Sequence, residues 1–121
     1  MELTPLLRPE RQVIERYGAS GFRISGMVYS GPVLVFRNRT LAWESAAVTA
    51  ESFAPVIAHG DVDLLLLGLG RRTTMVAPAL RAALKAHGIA VEGMDTGAAC
   101  RTYNVLLAED RRVAAALLPP V

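Results

Sequence analysis

Cysteine occurs once in the 121 residues, at Cys100, so no disulfide can form within the chain. Lysine also occurs once, at Lys85; the other twelve basic residues are arginine. Thirteen basic residues against eleven acidic ones leave a formal charge of +2. That surplus is too small and too scattered to mark a nucleic-acid-binding face, which needs a cluster of cations. No apolar run approaches bilayer length: Leu64 to Leu67 and Val113 to Leu118 are the longest. The first ten residues, Met-Glu-Leu-Thr-Pro-Leu-Leu-Arg-Pro-Glu, lack a basic start followed by an apolar stretch, and Glu2, Glu10 and Glu15 interrupt the nearby arginines. Neither a secretory signal nor a mitochondrial transit peptide is expected, and a cytoplasmic location is the default. No Gly-Lys-Ser/Thr phosphate loop is present, and His59, His87 and Cys100 have no spacing that suits zinc. No cofactor and no metal are expected.

What remains is a globular composition, 52% hydrophobic and 20% charged. A chain of this length buries roughly two-thirds of its unfolded surface, enough for a core without metal or disulfide staples. Residues 1–12, with two prolines and little pattern, read as an extended arm before a single α/β domain over 13–121. In that domain Phe22, Ile24 and Val28 alternate across Gly26 as one half-buried strand, and Tyr29 to Pro32 supplies a turn. Val33 to Phe36 and Thr40 to Trp43 are further strands around Arg37-Asn38-Arg39, which together predict antiparallel hairpins. Thr49 reads as a helix N-cap, with Pro55 tolerable only in the first turn.

The second half is more regular. Asp63 to Gly68 has the continuous apolar character of a strand covered on both faces. Thr73 or Thr74 is placed to cap a helix whose Val76, Leu80 and Leu84 recur every fourth residue, and Lys85, His87 and Gly88 suit its end. Ile89 to Met94 is a strand, Asp95-Thr96-Gly97 starts a helix, and Val113 to Leu118 is the last strand. The pattern over Asp63–Pro119 is β-α-β-α-β. If its first two strands are parallel, the loops after them share one sheet edge, where open α/β sheets bind ligands.

Those loops supply the candidate site: Gly68, Gly70, Arg71 and Arg72 from one, and Asp95, Thr96, Arg101, Thr102, Tyr103 and Asn104 from the other. Two readings are open. The arginines and the helix start could hold a small anion, with Asp95 as acid or base. Alternatively, Asp95 and Thr96 only cap the helix, and the glycines only let the chain turn. Gly68-Leu69-Gly70 is not a dinucleotide fingerprint, because Thr73 stands where a third glycine would be needed. Cys100 reads as a small buried hydrophobe, Tyr103 as half core and half hydrogen-bonding handle, and Asn104 as the donor or acceptor of a specific bond.

The strings Leu64-Leu-Leu-Leu-Gly-Leu-Gly70, Gly88-Ile-Ala-Val-Glu-Gly-Met-Asp-Thr96 and Ala98-Ala-Cys-Arg-Thr-Tyr-Asn104, with Tyr17-Gly18, Gly21-Phe22 and Trp43, resemble the Mth938-like family of domains of unknown function. The resemblance covers residues 13–119. It implies a three-layer α/β fold with a mixed central sheet and an added β-hairpin region. It also implies kinship with an assembly factor for respiratory complex I that works by binding protein partners, and it supplies no catalytic residues. Asp110 departs from the pattern, standing where glycine is expected. A non-catalytic protein-binding module is therefore the favoured function, and a small enzyme or anion binder at the two loops is the alternative. The first reading predicts an exposed apolar patch, with Phe22, Tyr29, Phe36 and Trp43 as its candidates.

Overall fold

The apolar run at the centre of the sequence forms a six-residue strand, Leu64–Leu69, around which the other elements are arranged. In the computed structural model, which describes residues 10–71 and 75–120, the chain runs β1 (Ile14–Gly18), β2 (Gly21–Ile24), β3 (Met27–Ser30), β4 (Val33–Val35) and β5 (Thr40–Ala42). A short 3-10 turn (Glu51–Phe53) leads into α1 (Ala54–His59). Then follow β6 (Leu64–Leu69), α2 (Pro78–Lys85), β7 (Ala90–Met94), α3 (Thr96–Ala108) and β8 (Val113–Leu118). Residues 1–9, most of the expected arm, lie outside the described residues; Arg11 and Gln12 are bonded to the body through Asp110 and Arg37.

A five-stranded mixed sheet has the order β5-β4-β8-β6-β7. β6 runs parallel to both β7 and β8, and β4 is antiparallel to β5 and β8. Successive side chains of a strand point to opposite faces, so each apolar run feeds two cores. Leu65, Leu67, Ala114, Ala116 and Leu34 join Phe53, Val56, Leu80 and Leu84 on the α1 and α2 side. Leu66, Val113, Ala115, Leu117, Val33 and Val35 join Ala99, Cys100, Tyr103 and Leu107 of α3 on the other side. A second sheet of order β1-β2-β3 adds Ile14, Phe22 and Ile24 to that second core. The result is the three-layer α/β arrangement with a mixed central sheet.

Three local expectations need correction. The stretch around Gly26 is two strands, not one: Ile24 pairs with Met27, and Ser25 and Gly26 make a two-residue turn with φ of 43° and 85°. Positive φ at both turn positions matches the twist of a tight hairpin, so Gly26 is the reversal point and not a strand residue. Second, α2 starts at Pro78 with Ala77 before it and no side-chain cap. Val76 is buried just ahead of the helix, and Thr73 and Thr74 lie outside the described residues. Third, Thr49 accepts from the Ser52 N–H through both its carbonyl and its hydroxyl, so it closes the 3-10 turn, while Pro55 sits in the first turn of α1.

The aromatic residues of the hairpin region are also not where a surface patch would need them. Phe22, Phe36 and Trp43 are only 1–2% exposed, and Tyr29 is half-buried against the second core. Trp43 stacks obliquely on Phe53 and donates its indole N–H to the buried Ser52 hydroxyl at 2.7 Å. Asp110 resolves the departure noted in the sequence. It adopts φ of 59°, the left-handed conformation for which glycine was expected and which aspartate tolerates. Its carboxylate receives Arg11 at 3.2 Å and Arg37 at 3.1 Å.

Gly68 sets how closely α3 approaches β6. A Cβ there would lie 2.8 Å from Leu117 Cδ2, 3.1 Å from Thr96 Cα and 3.2 Å from Ala99 Cβ. The backbone of Thr96 cannot yield as a side-chain tip can. Gly68→Ala should therefore destabilise the fold by about 1–3 kcal/mol through overpacking. A urea denaturation curve with a lowered midpoint and unchanged slope would show this; an unchanged midpoint would disprove the contact.

Candidate functional site

The three parallel strands β8, β6 and β7 end on one edge, and α3 starts there. Thr96, the first residue of α3, joins the three ends. Its N–H donates to the Gly70 carbonyl at 2.8 Å, and its hydroxyl accepts from the Gly70 N–H at 2.9 Å. The same hydroxyl donates to the Leu118 carbonyl at 2.6 Å. Thr96 is fully buried and its partners Gly70 and Leu118 are half-buried, so these bonds are partly shielded from competing water. Asp95 is the N-cap, accepting from the Ala98 N–H at 2.9 Å through Oδ1.

Beside the cap lies a small polar group around Gly97. A Cβ on Gly97 would meet the Tyr17 hydroxyl at 3.0 Å, Arg101 Nη1 at 3.2 Å and Asp95 Oδ1 at 3.4 Å. Arg101 Nη1 donates to the Tyr17 hydroxyl at 2.9 Å. The exposed Tyr17 is thus part of this edge although it lies on β1. Its signal in the sequence, an aromatic directly before a turn glycine, reads equally well as a core anchor.

The structure brings together some of the expected residues and separates others. Gly68, Gly70, Asp95 and Thr96 meet at the strand ends, with Arg101 one helical turn further on. Arg71 is exposed on the same edge, and Arg72 lies outside the described residues. Thr102 is half-buried on α3. Tyr103 and Asn104 serve the other end of the layer. The Tyr103 hydroxyl donates to the Gln12 carbonyl at 2.8 Å, with the Phe36 carbonyl 3.2 Å away. The Asn104 side-chain amide acts as a strand partner for Ile14, accepting from its N–H at 3.0 Å and donating to its carbonyl at 2.8 Å.

The chemistry available is limited. Burial pushes the Cys100 thiol up to about 12, with Arg101 opposing the shift and Asp95 adding to it. A thiol so held is protonated at neutral pH and is not a nucleophile. Burial also raises the Tyr103 phenol, against the pull of Arg11 and Arg37. Among the described residues no three of His, Cys, Asp and Glu are grouped as metal ligands would be.

A family model described as a protein of unknown function (DUF498/DUF598) matches residues 14–118. The chain belongs to this family. The zebrafish (Danio rerio) NADH dehydrogenase (ubiquinone) 1 alpha subcomplex assembly factor 3 is 38% identical to this chain over 112 residues, which cover 89% of this chain and 64% of that protein. Among solved structures, a Bartonella henselae protein described as an outer membrane protein superposes with a TM-score of 0.82 at 34% identity, covering 93% of this chain and 98% of the other. A Mth938-like domain from Bordetella pertussis gives a TM-score of 0.80 at 27% identity, covering 98% and 92%. The DUF498/DUF598 fold is therefore the Mth938-like fold expected from the sequence. No helix among the described residues is long and apolar enough to cross a membrane.

Cys100 and Tyr103 make stability pH-dependent on the alkaline side. Both groups are neutral acids whose folded pKa lies above the ordinary values of 9.0 and 10.0. Above those values the unfolded chain loses protons that the folded chain keeps, so unfolding is favoured as pH rises. The contribution is fully present below pH 9.0 for Cys100 and below pH 10.0 for Tyr103, and each declines above that value by about 1.4 kcal/mol per pH unit until the folded pKa is reached. Melting temperatures measured from pH 8 upward should fall less steeply for Cys100→Ala/Tyr103→Phe than for the parent chain. Parallel slopes would show that neither group titrates as described.

Proposed function

We propose that this chain is a non-catalytic protein-binding module of the assembly-factor type, acting in the cytoplasm on the assembly of a respiratory NADH dehydrogenase. The observation that carries this reading is the use made of the polar residues at the strand ends. Asp95 is the helix cap, Thr96 ties together the ends of β6 and β8, and Arg101 holds Tyr17. Tyr103 and Asn104 bind the backbone of the N-terminal strands. Groups committed in this way are positioned to maintain a shape, and a shape is what a docking module presents. The kinship with an assembly factor for NADH dehydrogenase supplies the class of target.

An aspartate acting as acid or base and an aspartate acting as a cap respond differently to one substitution. Asparagine caps a helix as well as aspartate but cannot exchange a proton in the same range. In a host deleted for this protein, the level of fully assembled NADH dehydrogenase on native gels should fall. The Asp95→Asn chain should restore it to the level that the parent chain gives. Failure of a stably folded Asp95→Asn chain to restore assembly would count against a non-catalytic role, and normal assembly in the deleted host would remove the target.

A further inference from the structure

Three exposed apolar side chains lie on the β1–β3 sheet: Tyr17 at the end of the row it makes with Phe22 and Tyr29, and Met27 and Val28 on the edge strand β3. Tyr17 is 42% exposed, Met27 62% and Val28 77%. Val28 pairs with Arg23, and Arg23 with Arg16, so an aliphatic side chain and two guanidinium groups form one cross-strand row. Beside this row opens a concavity of about 320 Å³, lined also by Tyr17 and Ser20 and by Gly18 and Gly21. The two glycines are partners across the β1–β2 pair and contribute no side chain to fill it. At Gly21 the absence is enforced: a Cβ would come within 2.0 Å of the Tyr29 carbonyl oxygen.

The charge of this face is unbalanced. Glu15 lies 3.2 Å from Arg23 and also accepts from the Gly26 N–H at 2.8 Å, so its carboxylate is engaged. Arg16 has no acidic partner among the described residues. Two guanidinium groups thus face one carboxylate. Arginine suits an incoming carboxylate because its planar fork offers two parallel donors and is weakly hydrated. Tyrosine and arginine are also the residues enriched at the centre of protein interfaces.

We propose that the concavity between Arg16, Arg23 and Val28 receives a segment of a protein partner that carries a carboxylate beside an aliphatic side chain, the carboxylate on Arg16 and the aliphatic group on Val28. The inference rests on the protein-binding reading and gives it a contact surface. It also yields a substitution suited to testing it. A Cβ at Gly18 meets no atom within 4 Å, and the backbone there is not left-handed, so Gly18→Leu should fill the concavity without straining the fold.

The test is an NMR titration of the isotopically labelled chain with the capped peptide Leu-Glu-Val-Glu-Leu. Its glutamine counterpart and a single-stranded oligonucleotide serve as comparison probes. The acidic peptide should shift the amides of Arg16, Gly18, Arg23 and Val28. The glutamine peptide should bind about threefold or more weakly, as expected for loss of a partly exposed ion pair. Gly18→Leu and Arg16→Glu should each remove the shifts. The proposal is overturned by shifts confined to other residues, by no shifts, by equal binding of the glutamine peptide, or by the oligonucleotide taking the site in preference. A Gly18→Leu chain that restores NADH dehydrogenase assembly in the deleted host would overturn this site while leaving the assembly role intact. Normal assembly in that host without any copy would instead remove the assembly role.

Discussion

The hydroxyl of Thr96 accepts one hydrogen bond and donates another, and the two bonds bring three segments of backbone to one point. Without them, the loop leaving β6, the start of α3 and the end of β8 would meet with a half-buried N–H and a half-buried carbonyl lacking their protein partner. Such groups cost about 1–3 kcal/mol each when left unpaired in full burial. Gly68 permits the contact by letting the Thr96 backbone come close to β6. Serine could supply the hydroxyl, but the threonine methyl also fills the buried corner. The geometry of the edge follows from these two residues, and the placement of Asp95, Gly97 and Arg101 follows from the edge.

The same dependence explains which parts of the fold could be read in advance. Asp63 to Pro119 is legible because each element there is specified locally: an unbroken apolar run, a cap at Asp95, a closing glycine at Gly88. The first half is specified less by local pattern. Gly26 sits in an alternating stretch, and only the pairing of Ile24 with Met27 distinguishes a hairpin turn from a strand interior. Phe22, Phe36 and Trp43 could equally have faced water or a core; the second sheet, folded over α3, decides it for Phe22, and the opposite core around Phe53 and Val56 decides it for Phe36 and Trp43. Arg11 and Arg37 both reach Asp110, contacts across 99 and 73 residues that no local pattern announces.

That the loops after β6 and β7 meet at one edge was legible in the sequence, and the direction of each side chain was not. Helical geometry turns neighbouring side chains by about 100°, so the contiguous string Arg101-Thr102-Tyr103-Asn104 cannot face one ligand. Arg101 turns to the edge, Tyr103 to the core and Asn104 to β1. Tyr17 was missed because it reaches the edge from 84 residues away. The polar groups of the strand-end edge are largely engaged with one another, which leaves the concave, cationic face of the β1–β3 sheet as the more open surface.

The edge keeps its shape only if the Thr96 bonds are as durable as the strands they join. Hydrogen exchange at the Gly70 amide measures this directly, since that N–H has the Thr96 hydroxyl as its acceptor. Its protection should equal that of the β6 amides, opening only with global unfolding, and should collapse in Thr96→Val while β6 stays protected. Exchange of the Gly70 amide at the rate of an open loop in the parent chain would contradict the account.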